Sequence, residues 1–152
     1  MKLLNRTVLS ALVLGFGSTL IVSCGSQDVG EESSPLAVVG PFISKSQVKS
    51  YIAAAGFPAD KVNVAAAVSQ CESSLGTKSF AIGQGRRHTG LFQISDLHKG
   101  ACGYGGKSLD GFRSAMNAPG ANAKCAFVVY KNAGSNFSPW DCYRFGSYRK
   151  FL

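Results

Sequence analysis

Acidic side chains are scarce in this chain of 152 residues, which holds 8 aspartates and glutamates against 16 lysines and arginines. Histidine is scarcer still, with His88 and His98 alone. These shortages exclude whole classes of chemistry. With two histidines and no serine in a G-x-S-x-G elbow, a protease or esterase triad has nothing to be built from. There is no Walker glycine loop and no dinucleotide fingerprint, so nucleotide chemistry lacks its usual cradle. The cysteine spacings are all long and the histidines lie in separate polar segments, so no zinc pattern is present and no metal or cofactor is expected. The apolar stretch Thr7 to Val22 is too short and too poorly flanked for a membrane span.

What is present at the start is an export signal. Lys2 and Arg6 precede that apolar stretch, so Met1 to Ser23 reads as a cleaved leader rather than part of the fold. Leu20-Ile21-Val22-Ser23-Cys24 resembles a bacterial lipobox, which implies cleavage before Cys24, acylation of that cysteine, and anchoring to a lipid membrane without a spanning helix. Gly25, rather than aspartate, follows Cys24, as in lipoproteins sorted to a Gram-negative outer membrane, where the domain would face the periplasm. Loss of the leader leaves fourteen basic and eight acidic residues, so the mature chain stays basic. Residues 24–40 are rich in serine, glycine and small side chains and read as a tether. Residues 41–152 suffice for one domain and are too few for two.

Four cysteines remain in that domain: Cys71, Cys102, Cys125 and Cys142. An even number in an exported chain favours two disulfides, with three possible pairings. Cys71 with Cys125, joining two helices, and Cys102 with Cys142, tying a glycine-rich loop to the tail, are the expected pairs.

The coarse organisation is mainly helical with a small irregular β hairpin or sheet. Ser44 and Gln47 form a capping box, so a helix starts there, turns Val48, Tyr51, Ile52 and Ala55 inward, and stops at Gly56. A second helix begins near Pro58 to Lys61 with the stripe Val64, Val68, Cys71 and Leu75, and ends beside Glu72. Phe80 to Ile82 and Leu91 to Ile94 read as hairpin arms, joined by a loop carrying Arg86-Arg87-His88. A short helix over Leu109 to Asn117 ends at Pro119-Gly120. Asn122 to Lys131 should pack as a central helix, and a last helix should start at Ser138-Pro139.

Glu72 stands where an apolar, alanine-rich helix runs out, just ahead of the glycine-marked GLFQIS segment, Gly90 to Ser95. At this point the chain resembles the lysozyme-like superfamily, in particular the soluble lytic transglycosylase type of domain. The resemblance rests on AAAVSQCESSLG (Ala65 to Gly76), TGLFQIS (Thr89 to Ser95), NAKCAFVVYKNAG (Asn122 to Gly134) and FSPWDCYRFGSYRKFL (Phe137 to Leu152), which follow the family's order. It implies a lysozyme-like fold, Glu72 as catalytic acid and base, and Ser73, Gly90, Gln93, Asn122, Tyr130 and Trp140 as residues of the substrate groove or its support. Cys71 directly before Glu72, Phe92 where methionine is frequent, and the basic Arg86-Arg87-His88 stretch depart from common members and bear on substrate preference.

The chemistry agrees with one carboxyl. Cleaving a glycosidic bond needs a proton on a poor leaving oxygen, and a partly desolvated glutamate supplies it. A second carboxylate would support ordinary hydrolysis. Asp96 is the best placed in sequence, though capping of the Leu97-His98 turn explains it better; Asp141 reads as part of its own capping box and Asp60 as a first-turn charge. The expectation is a lytic transglycosylase acting on peptidoglycan and leaving 1,6-anhydromuramoyl ends, with a water-using muramidase and a non-catalytic peptidoglycan-binding lipoprotein as alternatives. The basic stretch suits anionic groups of the cell wall; with no nucleic-acid-binding fold in an exported chain, no nucleic acid is expected, and the domain reads as a monomer.

Overall fold

The computed structural model describes residues 41–152. The expected leader, Cys24 and the tether lie outside the described residues. The fold is mainly helical with a small open three-stranded antiparallel sheet. It opens with α1 (Lys45–Ala54), whose first turn carries the capping box: Ser44 Oγ accepts the Gln47 N–H, and the Gln47 side chain returns to the Ser44 N–H. Val48 and Ile52 are buried, one turn apart on the core side. Tyr51 is instead exposed and Ala55 only partly buried, so the inward stripe is narrower than the sequence suggested.

A 3-10 turn (Ala59–Lys61) leads into α2 (Val62–Ser73). From Ala65 to Ser69 this helix is buried on every side, which three consecutive alanines permit because they let neighbouring backbones approach closely. Its end is abrupt. Ser74 and Leu75 both take left-handed backbone conformations, at φ 53° and 66°, and turn the chain away directly after Glu72 and Ser73. The segment ahead of α1 closes over this corner, with the Ile43 N–H donating to the Leu75 carbonyl at 3.2 Å and the Thr77 N–H to that of Pro41 at 3.2 Å.

The sheet runs β1 (Phe80–Gly83), β2 (Arg86–Thr89) and β3 (Ile94–Ser95), in that order and antiparallel throughout. Phe80 pairs with Thr89 and Gly83 with Arg86. The basic cluster is therefore a strand and not the loop expected of it. The hairpin closes on only Gln84 and Gly85, both at positive φ (52° and 69°), as a tight two-residue turn requires. A glutamine at the first of those positions hid the turn from sequence inspection. Leu91, Phe92 and Gln93, expected as an arm, form a buried turn between β2 and β3.

Beyond β3, a 3-10 turn (Asp96–Lys99) and a π-type turn (Gly100–Tyr104) lead to α3 (Leu109–Met116), α4 (Pro119–Asn132) and the four-residue α5 (Asp141–Arg144). Pro119 opens α4 rather than ending α3. Its missing N–H costs nothing at a first helical position, so α4 starts three residues before Asn122. α5 starts later than expected: Trp140, not Ser138, stands at its N-cap in an extended conformation, φ −98°, and no side chain of its own caps it. Phe57, Phe92, Tyr130, Phe137 and Trp140 fill the core between α2, α4 and the tail, with ring centroids 4.8 to 6.3 Å apart.

All four described cysteines are oxidised, but in a different pairing from the expected one. Cys71 joins Cys142, and Cys102 joins Cys125, with Cα atoms 6.0 and 5.1 Å apart. The reason lies in helix faces. Cys125 is one turn after Asn122 on α4, and that face looks toward the GLFQIS turn and the Gly100–Tyr104 segment. Cys71 on α2 faces the tail.

Candidate active site

Glu72 lies in the last turn of α2, partly buried, with its carboxyl against the start of α5. Glu72 Oε1 accepts the Cys142 N–H at 3.1 Å. This N–H is one of the free donors in the first turn of α5, so the glutamate of one helix serves as the missing cap of another. The Cys71–Cys142 disulfide, beginning one residue before Glu72, holds the two backbones in that relation. Burial is the main influence on the carboxyl and pushes it above the ordinary value of 4.5. The Cys142 N–H opposes that rise, and the negative charge of Asp141 adds to it.

The carboxyl opens into a cavity of about 120 Å³ whose polar wall is Glu72, His88, Gln93, Ser95, His98 and Asp141, with Trp140 beside them. Glu72, Gln93 and Trp140 are thus brought together on the wall of one cavity. Gln93 is held at φ 46°, with Nε2 donating to the carbonyls of Gly90 at 2.8 Å and Ser79 at 3.2 Å. Its Oε1 has no hydrogen-bond partner among the described residues. A non-glycine residue in a left-handed conformation, with an amide oxygen left over, is a common mark of a binding site. Trp140 donates Nε1–H to the Phe92 carbonyl at 2.8 Å and packs edge-on against the Phe92 ring at 5.8 Å, so it joins the cavity wall to the core.

The four other residues expected in the groove or its support do not line the cavity. Asn122 is fully buried and works as a clamp: Nδ2 donates to the carbonyls of Thr89 and Met116, and Oδ1 accepts the Phe92 N–H, all at 2.9 Å. With every bond of its side chain committed to backbone, it shapes the GLFQIS turn and leaves no face for a sugar. Gly90 explains why the clamp fits. A Cβ there would meet the Met116 carbonyl oxygen at 2.2 Å and Asn122 Nδ2 at 2.3 Å, and φ is +78°. Ser73 donates to the Ser69 carbonyl at 3.0 Å and stitches the end of α2. Tyr130 sits in the aromatic core, packed on Phe57, Phe127 and Phe137.

The second carboxylate is also resolved. Asp96 accepts the Arg113 guanidinium with both oxygens, Nη2 to Oδ2 at 2.5 Å and Nε at 3.2 Å to each, and does not line the cavity. Ser95, not Asp96, receives the Leu97 N–H in the following turn, at 3.4 Å. The carboxylate that does share the cavity is Asp141, exposed and paired with Arg144 at 3.0 Å. Sequence inspection missed it, and also missed His88 and His98. The available signal was distance along the chain: His88 precedes Gly90 by two residues and His98 follows Ser95 by three, so both flank the segment that builds the groove wall.

A mainly helical domain with a small antiparallel sheet on one side of a cavity, and a desolvated glutamate at a helix end on the other, defines the lysozyme-like class. A family described as a lysozyme-like domain matches residues 49–142, more than half of the chain, and the chain belongs to that family. No curated protein and no solved structure shows significant similarity to it. The family is one of enzymes, and the fold and site are consistent with a glycosidase acting on peptidoglycan. Two disulfides agree with an exported protein. Among the described residues no helix is long and apolar enough to cross a membrane, and no cluster of side chains fits a metal ion.

Proposed function

We propose that the protein is a peptidoglycan lytic transglycosylase that cuts the β-1,4 bond between N-acetylmuramic acid and N-acetylglucosamine. The observation that carries this reading is the state of Glu72: a single partly buried carboxyl, pushed toward its protonated form, on the wall of the cavity. Protonated Glu72 delivers its proton to the glycosidic oxygen as the C1–O bond breaks and positive charge grows on the muramoyl ring. The acetamido oxygen of the sugar stabilises C1, which dispenses with a carboxylate nucleophile. The C6 hydroxyl then attacks C1, losing its proton to the ionised carboxylate, and a 1,6-anhydro ring closes. Asp96 is committed to Arg113 and takes no part.

Asp141 favours a second reading. Its place on the same cavity wall gives water a carboxylate to work with, which would make the enzyme a muramidase. The lipobox-like run ending at Cys24 supports a chain exported and held at a membrane by acyl groups, with the domain reaching the wall beyond it. Mass spectrometry of purified peptidoglycan treated with the disulfide-bonded protein, beside its Glu72→Gln variant, decides among the readings. Anhydromuramoyl ends that depend on Glu72 are expected. Reducing muramic acid ends would replace the transglycosylase by a muramidase, and retention of glycan without any cleavage would leave a binding module.

A further inference from the structure

A second hollow, of about 200 Å³, lies toward the start of α2 and shares no lining residue with the Glu72 cavity. Val64 forms part of it and stands two turns before Cys71, so the hollow lies on the face of α2 that meets the tail. Tyr130 gives it its character. The residue is 2 % exposed and its ring packs against Phe57 and Phe137. Its hydroxyl makes no hydrogen bond to any described residue and is not sealed from solvent, so it emerges into the hollow. Tyr143 and Tyr148, stacked at 4.9 Å, bring two more hydroxyls with no partner among the described residues. Lys61 completes the group. Asp60 first, and then the Tyr130 and Tyr143 oxygens, hold its ammonium above the ordinary value of 10.5, which requires both hydroxyls to lie near that nitrogen.

The groups left free here are an ammonium and three phenols, all of which donate. The amide of Asn136 is already committed: Nδ2 donates to the Ala133 carbonyl, and Oδ1 accepts the Ser138 N–H at 2.8 Å. No acidic side chain lines the hollow. Asp60, which pairs with Lys61 at 2.8 Å, is 69 % exposed, and a pair so open to water exchanges readily for the oxygens of a ligand. The surrounding domain is strongly basic, with fourteen lysines and arginines against five aspartates and glutamates in residues 41–152. A fitting ligand therefore brings a negatively charged acceptor, with an apolar part to lie on Phe137 and the tyrosine rings. The glycan backbone of peptidoglycan offers neutral hydroxyls and amides. Its anionic acceptors are the carboxylates of the stem peptides.

We propose that this hollow is a second substrate site, in which Lys61 and the hydroxyls of Tyr130 and Tyr143 hold a carboxylate of a peptidoglycan stem peptide. It rests on the peptidoglycan substrate of the reading above, whichever ends the cleavage leaves. Lys61 and Glu72 are eleven residues apart, from the 3-10 turn to the last turn of α2, which is about 16 Å at the helical rise. An extended peptide covers that distance in about five residues. A stem peptide borne by the strand in the Glu72 cavity, or by the next strand of the wall, thus comes within reach of the hollow. The site holds peptide-bearing strands in preference to bare glycan and adds affinity without touching the bond that breaks.

The test is calorimetric titration of the full disulfide-bonded chain carrying Glu72→Gln, so that no glycan is consumed, with soluble glycan strands that either bear stem peptides or have been stripped of them by an amidase. Peptide-bearing strands are expected to bind about 10-fold more tightly, and added salt should narrow the gap. Tyr130→Phe and Lys61→Met, each placed in the same chain, should remove most of that preference and leave the Kd for stripped strands unchanged. Tyr130→Phe keeps the packed ring, so an unaltered urea midpoint and unaltered binding of stripped strands separate a lost contact from a lost fold. A preference that persists in both variants, or a parent that binds the two kinds of strand equally, would overturn the carboxylate site alone. Failure to bind either strand would overturn the peptidoglycan reading and the site with it. A preference that depends on Tyr130 and Lys61, in a protein whose unaltered form cleaves nothing, would uphold the site and overturn the enzyme.

Discussion

The two disulfides do similar work for the fold and very different work for the site. Cys71–Cys142 closes a separation of 71 residues and Cys102–Cys125 one of 23. By loop-closure entropy the two stabilise the folded chain by about 4.4 and about 3.4 kcal/mol, a difference too small to distinguish their roles. Their neighbours distinguish them. Cys102–Cys125 fastens the Gly100–Tyr104 turn to α4, on the wall of a separate hollow with Tyr104 and Lys124. Cys71–Cys142 begins beside Glu72 and ends at the residue whose N–H bonds its carboxyl. A cross-link of ordinary thermodynamic value thus becomes part of the geometry of the candidate site through the single residue next to it.

The sharpest way to separate site from scaffold is Glu72→Gln. Cleavage of peptidoglycan should fall by about 10² to 10⁴-fold, as for loss of a general acid. The same variant should melt at a higher temperature near neutral pH. The native carboxyl titrates above its unfolded value, so the stability it contributes is fully present below the unfolded pKa and is lost as pH rises through the folded one. Glutamine escapes that loss, so the gain in melting temperature should fade as the pH is lowered below the ordinary glutamate range.

Removal of each disulfide in turn tests the comparison itself. Cys71→Ser with Cys142→Ser should lower unfolding free energy by about 4 kcal/mol and Cys102→Ser with Cys125→Ser by about 3, both read from urea denaturation. Activity per folded molecule should then part company. The first pair should lose about 10²-fold in kcat through displacement of the Cys142 N–H and the start of α5, whereas the second should stay within about twofold of the parent. Equal losses in both would show that Cys71–Cys142 is scaffold only.

Asn122→Ala probes the other wall. It strands the Thr89 and Met116 carbonyls and the Phe92 N–H inside the protein and should cost about 3 kcal/mol or more in urea denaturation. The smallest effect is expected from Asp141→Asn. Removing that negative charge lets the Glu72 carboxyl titrate slightly lower, so the alkaline limb of activity should move to lower pH with little change at the optimum.

The elements governed by local rules were legible in the sequence. The Ser44–Gln47 box, the end of α2 at Glu72 and the glycine-marked turn each depend on residues within a few positions of one another. What escaped was set by distant partners. Disulfide pairing depends on which face of α4 meets which segment, and the capping of α5 by Glu72 spans 70 residues. Asn122 shows the limit most plainly: a supporting role was legible in the sequence, but that it clamps the backbone at Thr89, Met116 and Phe92 emerges only from the packing around Gly90. His98 escaped for a related reason, because nothing local distinguishes a histidine in a short polar turn until the fold brings it to the cavity.

The proposed acid role of Glu72 requires that burial hold its carboxyl toward the protonated form despite the Cys142 N–H. The most direct measurement is a ¹³C NMR titration of the Glu72 carboxyl in the intact, disulfide-bonded protein, assigned by comparison with Glu72→Gln. A midpoint above the ordinary glutamate value of 4.5 is the expected result. A midpoint at or below that value would mean that the carboxyl is ionised where a proton donor is needed, and would contradict its role as the acid.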